Sequence, residues 1–466
     1  MPIQSINLVQ GDRIENGDYR DALPVNMYTV MRKIRGSDGY MINQPGITLF
    51  AATTGVDRGG FYSDQFKKHF RVTGNDLISI DEAGNVTVLG TITGSLQVQM
   101  AQSFNNFAVV ADGKLWYYNI SEGFREITDP NLGNPIDITF IDGYFFFTDG
   151  ETLYHTTLLS EEVINATDFA TSEFSPDPTI AVKQTEQDQV IVFNRYTTEY
   201  FTNTGGANFA FSRIKGASIK AGAVATKCVV ELEGNWFMLG SRRESSNAIY
   251  AVSGGGVAQV STREVDKIIA TYTEDDLQNA SLESRTDDGY SFIHVNLPNH
   301  TLLYNHTVAK SVGIGYAWTI LKTSATVQDG WLGINGVRVP NVGWVYGDRF
   351  DAKLGKLDKS VSTLYGKELE FLFYSPFLPI EDASIDSIEI NTIPGFTDKE
   401  ATVSFSTTYD GQSYGFEFYN LYSEMNGKNQ RFIARRFGYV RDFVGFKFRA
   451  ITSAQLAFGA LEVTYS

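Results

Sequence analysis

Three histidines are the first candidates for chemistry, because imidazole groups close together in a chain can bind a transition metal. His294, His300 and His306 follow one another at short intervals. Metal ligands need a tight spacing that lets their side chains converge, whereas these three flank a predicted strand, a turn and a second strand. We interpret their placement as coincidental and predict no metal site. The sequence also lacks a phosphate-binding loop, an EF-hand loop and a nucleophile elbow, so we predict no cofactor.

Paired acids would indicate a different chemistry, because glycosidases use two carboxylates about 5–10 Å apart. Nothing in the spacing of the acids pairs them. The candidates are Asp137, Asp142, Asp149, Glu199 and Asp348. One segment, Thr-Tyr-Asp-Gly-Gln-Ser-Tyr at 408–414, is similar to a sialidase Asp box. Such boxes recur from repeat to repeat, so we interpret this single copy as a hairpin turn. A glycosidase, a polysaccharide lyase or a glycan-binding protein stays open as an alternative.

Basic residues interleaved with aromatic ones form a third candidate site near the carboxy terminus. The cations are Arg431, Arg435, Arg436, Arg441, Lys447 and Arg449. This composition occurs in single-stranded nucleic-acid binders. It is also typical of a solvent-facing strand pair, and of an interface with an acidic partner, where arginine and aromatic side chains are enriched. We predict a strand pair over Arg435–Arg449 that contributes to subunit contacts.

The elements that must position these residues are β-hairpins in a divergent repeat. Residues 105–118 are an aromatic run with an Asp-Gly turn at Asp112-Gly113, and the pattern returns with a turn at Asp149-Gly150. Asp-Gly between such runs is a strong hairpin signal, since a type I′ turn needs positive φ at both central residues. Weaker echoes give about seven units spaced by roughly 35–55 residues, which predicts an all-β propeller of about six to seven blades. An irregular stack of hairpins in two sandwiches is the alternative.

The repeat pattern divides the chain into three parts. Residues 1–60 fit no blade, and we predict an extended arm that either closes the ring of its own propeller or contacts a neighbouring subunit. Residues 61–360 are the predicted propeller, with helical insertions near 158–178 and 261–284; Thr273 and Asp276 have capping-box spacing in the second. Residues 361–466 alternate apolar and polar side chains, which predicts a separate carboxy-terminal β-sandwich.

Composition limits the classes of function. The formal charge of the 466-residue chain is −16, and a protein this acidic does not wrap DNA by neutralising phosphates. An acidic surface is compatible with a passage through which duplex DNA slides without sticking. The single cysteine, Cys228, excludes an intramolecular disulfide framework and is predicted to be buried. The first residues lack the pattern of a signal peptide, and no run is long and apolar enough to predict a membrane span.

Short motifs spread over the whole chain resemble one family. They are Met1-Pro2-Ile3-Gln4, Leu23-Pro24-Val25-Asn26-Met27, Gly39-Tyr40, Pro45-Gly46-Ile47-Thr48, Phe70-Arg71-Val72 with Gly74, Thr198-Glu199-Tyr200-Phe201, Lys267-Ile268-Ile269 with Tyr272-Thr273 and Asp276, and the strand from Val440 to Thr452. As an ordered set they are similar to the tail hub, or packaged-DNA stabilisation protein (tail accessory factor), of short-tailed, tailspike-bearing phages (podoviruses). Two segments, Leu158–Pro178 and Glu381–Lys399, do not follow the family pattern, and the family member that this chain resembles is richer in cysteine.

The resemblance implies a structural protein and no enzyme. Such hubs are expected to assemble as homohexamers below the portal and its adaptor ring, hold tailspike trimers, and end at a tail needle or plug. They extend the DNA channel in the virion tail, stabilise packaged DNA until ejection, and assemble in the host cytoplasm. By resemblance, we predict subunit contacts at Leu23, Pro24, Val25, Asn26, Met27 and Tyr28. Composition adds Arg435, Arg436, Arg441, Lys447 and Arg449.

Overall fold

Seven antiparallel sheets, six of four strands and one of five, are arranged as blades and account for most of the chain. The computed structural model describes residues 3–6, 23–33, 37–325, 329–393, 399–411, 413–422 and 432–466. In six blades the strands follow one another along the chain from the first strand to the last. This order is that of a β-propeller, in which each blade runs from the axis outward. The fold class predicted from the repeats is confirmed, with seven blades.

The strands of the first six blades are consecutive segments. Blade one is Asp57–Ser63, Lys68–Thr73, Asp76–Ile80 and Val86–Thr91; blade two is Gln99–Gln102, Phe107–Ala111, Lys114–Asn119 and Gly123–Ile127; blade three is Asp137–Ile141, Tyr144–Thr148, Leu153–His155 and Phe169–Ala170. Blade four is Thr179–Gln184, Gln189–Asn194, Thr198–Asn203 and Phe211–Arg213; blade five is Gly222–Ala223 with Val229–Leu232, Asn235–Ser241, Ala248–Ser253 and Gly256–Gln259; blade six is Ser281–Asp287, Tyr290–Asn296, Thr301–Asn305 and Trp318–Leu321.

Blade seven closes the ring with a strand from the other end of the chain. Gly333–Val339, Gly343–Asp348 and Lys353–Asp358 supply three strands, and Gly46–Ala52 supplies the outer one. Its register pairs Leu357 with Ile47 and Asp358 with Gly46. The predicted boundary at residue 60 therefore differs from the structure, because the closing strand and the start of blade one precede it. The pairing joins segments about 300 residues apart, so a local sequence pattern cannot predict it.

Aromatic side chains fill the spaces between neighbouring blades. Phe70 of blade one stacks on Phe107 of blade two with ring centroids 4.2 Å apart, and Tyr117 of blade two lies 5.2 Å from Phe145 of blade three. The Asp-Gly turn between the blade-two strands has positive φ at both residues, 50° at Asp112 and 71° at Gly113. The turn that the sequence predicted thus has the backbone geometry of a type I′ hairpin, and it directs the aromatic strands into the interblade core.

One of the two predicted helical insertions is present. Arg263–Ile269 and Glu274–Leu277 are helices between blades five and six, and Thr273 and Asp276 form the predicted capping box. The insertion at 158–178 is fully described and contains no helix. There Ser103 and Asn106 of blade two donate hydrogen bonds to the Glu161 carboxylate at 2.8 and 2.7 Å, which holds the segment as an irregular loop. A further helix, His306–Val312, and a 3₁₀ turn, Ile314–Tyr316, lie within blade six.

The carboxy-terminal part is a sandwich of two antiparallel sheets. One sheet contains Ala383–Thr392, Phe432–Val440 and Ala457–Tyr465; the other contains Leu369–Tyr374, Leu378–Pro379, Ala401–Thr408, Phe418–Tyr422 and Phe443–Thr452. Their inner faces meet at ring contacts such as Phe405 with Phe432, whose centroids are 6.0 Å apart.

The amino-terminal arm completes the first of these sheets. Its strands Ile3–Ile6 and Tyr40–Asn43 both pair with Ala457–Tyr465, and Met27–Val30 pairs with Tyr40–Asn43. We call the two paired strands Met27–Val30 and Tyr40–Asn43 the arm hairpin. The described part of the arm therefore packs on its own chain, adding strands to the sandwich before it closes the propeller. Of the two roles predicted for the arm, ring closure is the one the structure contains.

Candidate interaction surfaces

The segment Leu23–Tyr28, predicted to contact a neighbouring subunit, lies between the propeller and the sandwich of the same chain. The Ile320 amide of blade six donates to the Pro24 carbonyl at 2.8 Å, and the Asn26 amide donates to the Ile320 carbonyl at 2.8 Å. On the other side, Val25 exchanges two backbone hydrogen bonds with Leu372 of the sandwich, at 2.8 and 3.1 Å. The segment is thus a backbone joint that connects the two domains.

Burial corrects the prediction made for this segment. Leu23, Val25, Asn26 and Met27 are no more than 4% exposed, and Pro24 is also buried. Side chains enclosed by their own chain leave no free surface for a second subunit. Tyr28 differs, since it is half-buried and borders a cleft. The motif that supported the resemblance therefore holds the two domains together.

Asn26 is the polar centre of the joint, and replacing it with alanine is expected to destabilise the joint by about 2–4 kcal/mol. Its φ of 53° lies in the left-handed region, its amide donates to the Glu370 carbonyl at 2.9 Å, and its side-chain oxygen accepts from the Lys322 amide at 2.9 Å. Asn26→Ala leaves both partners unpaired and strains the backbone. In calorimetry, we expect the unfolding transition that the propeller and the sandwich share to move to lower temperature, or to separate into one transition for each domain.

Asn26→Gly is the matched control for this prediction. Glycine accepts a positive φ without strain but makes neither side-chain bond. It is expected to be destabilising, yet by about 1 kcal/mol less than alanine. Equal stability of Asn26→Ala and the unsubstituted protein would contradict the role assigned to the joint.

The predicted basic strand pair is divided between two sheets. Arg435 and Arg436 lie on Phe432–Val440, whose partner is Ala383–Thr392, whereas Lys447 and Arg449 lie on Phe443–Thr452 in the opposite sheet. The chain crosses from one sheet to the other through exposed Arg441, so the two strands are not hydrogen-bonded to each other. The prediction of a strand pair is wrong, because both runs alternate as a hairpin would but each finds a partner elsewhere. Arg431 lies outside the described residues.

The two halves of the basic cluster also differ in their partners. Arg449 Nε donates to a Glu370 carboxylate oxygen at 2.7 Å, and Lys447 Nζ lies 3.7 Å from a Glu417 oxygen. Arg435 and Arg436 are exposed on the outermost strand that the structure describes in their sheet, at a bulge where Arg436 has a φ of 70°. Cations and a bulge on an edge strand prevent unwanted strand pairing. They also leave Arg435 and Arg436 as the more accessible cations for a partner.

The three histidines do not converge on a common point. His294 is buried against Trp331 and Tyr346, His300 Nδ1 is hydrogen-bonded to the Tyr272 hydroxyl, and His306 lies 3.9 Å from a Glu233 oxygen. Burial is the main cause that lowers the pKa of each of them. Within the described residues, no group of three or more histidine, cysteine, aspartate or glutamate side chains has the geometry to hold a metal ion.

The five candidate acids serve local structure on three different blades. Asp137 binds Lys183 Nζ at 2.7 and 2.8 Å, and burial raises its pKa. Glu199 is buried and accepts from Ser172 and Phe174, whereas Asp348 caps the turn at Phe350. Asp149 caps its own loop at Thr152, and Asp142 binds Asn203 across to the next blade. Each of the five acids therefore has a hydrogen-bond partner in its own blade or in a neighbouring one.

Two further sequence expectations concern a thiol and a membrane. Cys228 is buried, its Sγ donates to the Ala280 carbonyl at 3.4 Å, and burial raises the pKa of the thiol. The cysteine is therefore a packed core residue and a poor nucleophile. Among the helices that the structure describes, none has the length and apolar character needed to cross a membrane.

Comparison with known proteins matches both domains to one family. The family described as "Bacteriophage P22 Gp10, beta-propeller" covers residues 4–362, and its companion "Bacteriophage P22 Gp10, beta-sandwich" covers residues 370–466. The tail hub protein gp10 of Salmonella phage P22 is 27% identical over an alignment of 480 positions, which covers 99% of each chain.

Similar solved structures include a streptogramin B lyase, 12% identical with a TM-score of 0.44 over 67% of this chain and 97% of that one. A virginiamycin B lyase from Staphylococcus aureus is 11% identical with a TM-score of 0.40, over 76% of this chain and 98% of that one. At these values the likeness says nothing about function. The match of both domains is different, since it spans nearly the whole sequence in order. The chain belongs to the bacteriophage P22 Gp10 family.

Proposed function

We propose that this protein is a structural subunit of a phage tail hub, located in the virion tail. The observation that carries the proposal is the similarity to the P22 tail hub protein, which spans 99% of both chains and therefore includes the propeller, the joint and the sandwich. A similarity limited to the propeller would support only a fold, because propellers host many unrelated functions. The full-length match supports a shared structural role without an enzymatic one.

The oligomeric state, the partners and the role in DNA retention that we propose follow from the family resemblance. We propose that the subunit forms a homohexamer, joins the portal–adaptor ring to tailspike trimers and a tail needle or plug, and stabilises packaged DNA until ejection. The joint at Leu23–Met27 supports a role in transmitting force, since it connects propeller and sandwich by backbone hydrogen bonds on both sides. A chain that links several partners needs such a connection, because force on one domain must reach the other.

The exposed edge of the sandwich is the surface we propose for a subunit or adaptor contact. Arg435, Arg436 and Arg441 are exposed there, on a protein with a net charge of −16. A local basic edge on an acidic protein favours an acidic partner surface, and steering between opposite charges increases the association rate and the specificity. Lys447 and Arg449 contribute less, since each already has an acidic partner in its own chain.

The overall acidity supports the proposed passage of duplex DNA. DNA phosphates are repelled by a surface of like charge, so an acidic channel wall lets DNA slide without sticking. The proposal concerns the assembled hub, whose lumen is bounded by several copies of the chain. A potential map of the assembled ring with a basic lumen would contradict it.

Assembly on the phage's own portal–adaptor complex tests the proposed function. We expect about six copies of the chain to join each complex, measured by native mass spectrometry, and DNA retention to improve. Arg435→Glu with Arg436→Glu is expected to weaken incorporation about tenfold or more, which is about 1.4 kcal/mol. Arg338→Glu is the matched control, since Arg338 is exposed on blade seven, away from the sandwich edge.

Two results would distinguish a tail hub from a propeller that cleaves or binds glycans. If the unsubstituted chain stays monomeric and does not bind the complex, the hub assignment fails, and a glycan-cleavage and glycan-binding screen is the next measurement. If the chain assembles but the two edge substitutions have no more effect than Arg338→Glu, the hub assignment stands and the proposed contact surface is wrong.

A further inference from the structure

A cleft of about 510 Å³ lies where the arm hairpin meets blade six and the chain leaving blade seven. Aromatic side chains line it, among them Tyr28 and Tyr40 from the arm hairpin and Tyr290 and Phe292 from blade six. Tyr28 meets Phe292 edge-on at 5.3 Å between ring centroids. The Tyr290 hydroxyl accepts from the Met31 amide at 2.9 Å, which fixes the hairpin over the blade. The arm hairpin and blade six thus form two fixed walls of the cleft, which we also call the recess.

Arg285 lines this recess with an incompletely satisfied guanidinium group. Its side chain is only 2% exposed and lies over the Phe292 ring, 4.5 Å from the centroid. Among the described residues, neither Nε nor Nη1 has a hydrogen-bond partner. Buried guanidinium donors are normally paired, since an unpaired buried charge is costly. A buried arginine with free donors in a cleft is therefore a sign of a missing acceptor.

The acids nearest to Arg285 along its strand are committed elsewhere. Glu283 accepts from the backbone amides of Asn335 and Gly336 in blade seven, both at 2.8 Å. Asp287 pairs with Lys359 at 2.7 Å, and Lys359 also pairs with Asp288. Neither flanking acid makes a hydrogen bond to Arg285. The guanidinium group hydrogen-bonds the Tyr346 side chain, and the acids around the cleft leave Nε and Nη1 of Arg285 without a partner among the described residues.

We propose that this cleft binds a carboxylate, which accepts hydrogen bonds from Nε and Nη1 of Arg285 while its organic part lies against the aromatic walls. A carboxylate is favoured over a dianionic phosphate, because Asp287 and Asp288 border the cleft and would repel a second negative charge. Burial raises the pKa of Tyr28 to about 12, so its hydroxyl stays protonated at neutral pH and can also donate. This binding site is independent of the tail-hub role, and no motif in the sequence indicates it.

Binding of radiolabelled acetate to the full-length chain, measured by equilibrium dialysis at constant ionic strength, tests the proposal. We expect saturable binding of about one acetate per chain, weakened tenfold or more in Arg285→Met, which keeps the length of the side chain but removes the donors. Arg32→Met is the matched control, because Arg32 is an exposed cation at the same cleft. Its expected change is less than about threefold, since an exposed charge acts through screened attraction only.

A second variant and a second ligand extend the binding experiment. If Arg285→Met does not fold, Arg285→Lys retains the charge without the planar fork, and it is expected to bind acetate more weakly than the unsubstituted chain. N-acetylglutamate α-amide presents the same carboxylate on a peptide unit: tighter binding than acetate indicates the acidic side chain of a partner protein, and equal binding indicates a free small carboxylate. Absence of saturable acetate binding, or equal binding by Arg285→Met, overturns the proposal.

Discussion

Replacing Arg71 with methionine is expected to lower the free energy of unfolding by about 3–5 kcal/mol. Arg71 is fully buried and crosses from blade one to blade seven, where the ring closes. Its Nη1 donates to Asp57 at 2.8 Å, its Nη2 donates to the carbonyls of Asn335 and Val345 at 2.8 Å, and its Nε donates to His69 Nε2 at 3.1 Å. Methionine leaves the Asp57 carboxylate charged and without this partner in the interior.

The double variant Arg71→Met with Asp57→Asn separates the lost charge pair from the lost volume. Removing both charges leaves no isolated carboxylate, so the double variant is expected to be more stable than Arg71→Met alone by about 1–3 kcal/mol. Urea unfolding followed by tryptophan fluorescence measures both. If the two substitutions are simply additive, the pair is not coupled and Arg71 does not hold the closure in the way its contacts indicate.

Local signals in the sequence were sufficient for the blades but not for the closure. The Asp112-Gly113 turn encodes its own geometry, because two residues with positive φ select a type I′ hairpin whatever lies further along the chain. The closing strand Gly46–Ala52 depends on a partner about 300 residues away, and its sequence is equally compatible with an extended arm. In the sequence, Arg71 was part of an apolar strand and of a short family motif, and neither indicated its contacts with blade seven. Its role arises because blade seven returns to blade one.

At the candidate surfaces too, the sequence predicted local structure but not the contacts between distant segments. Alternation of apolar and basic residues predicted strands at 435–449, and strands are present there, but alternation does not say which sheet a strand joins. The segment Leu23–Met27 was recognised as important, and its role was assigned to the wrong partner, since a buried joint and a subunit contact both need apolar residues with a fixed backbone. The cleft at Arg285 had no signal, because its walls come from the arm, blade six and the blade-seven exit.

Acidification is expected to weaken the fold through two buried histidines. His69 and His294 are each 1% exposed, and burial together with a neighbouring arginine lowers the pKa of both well below the usual 6.5. His69 must stay neutral to accept from Arg71 Nε, and a proton there would place a second cation beside the guanidinium. Both nitrogens of His294 lack partners among the described residues, and Arg285 is its charged neighbour.

The free energy of unfolding depends on pH because the unfolded chain binds protons at these histidines at a higher pH than the folded chain does. Below pH 6.5 the unfolded chain protonates these histidines while the folded chain does not, so the free energy of unfolding falls as the pH falls, until the folded-state pKa is reached. Each histidine contributes about 1.4 kcal/mol per pH unit in that window, and the two together about 3 kcal/mol between pH 6 and pH 5. Buried Asp137 and Glu283, whose pKa values are raised, act in the opposite direction at lower pH.

A variant without one titrating group isolates the effect from these acids. His294→Phe keeps an aromatic ring against Trp331 and Tyr346 and removes one proton site, so its stability should fall less steeply from pH 7 to pH 5.5, by about 1.4 kcal/mol per pH unit below pH 6.5. Urea unfolding at several pH values measures the slope for both chains. His300→Gln is the control, because His300 has a hydrogen-bond partner in Tyr272 and contributes less to the slope. Parallel pH profiles for His294→Phe and the unsubstituted chain would mean that His294 is solvated or paired when folded, and that the acid sensitivity of the blade-six and blade-seven junction has another source.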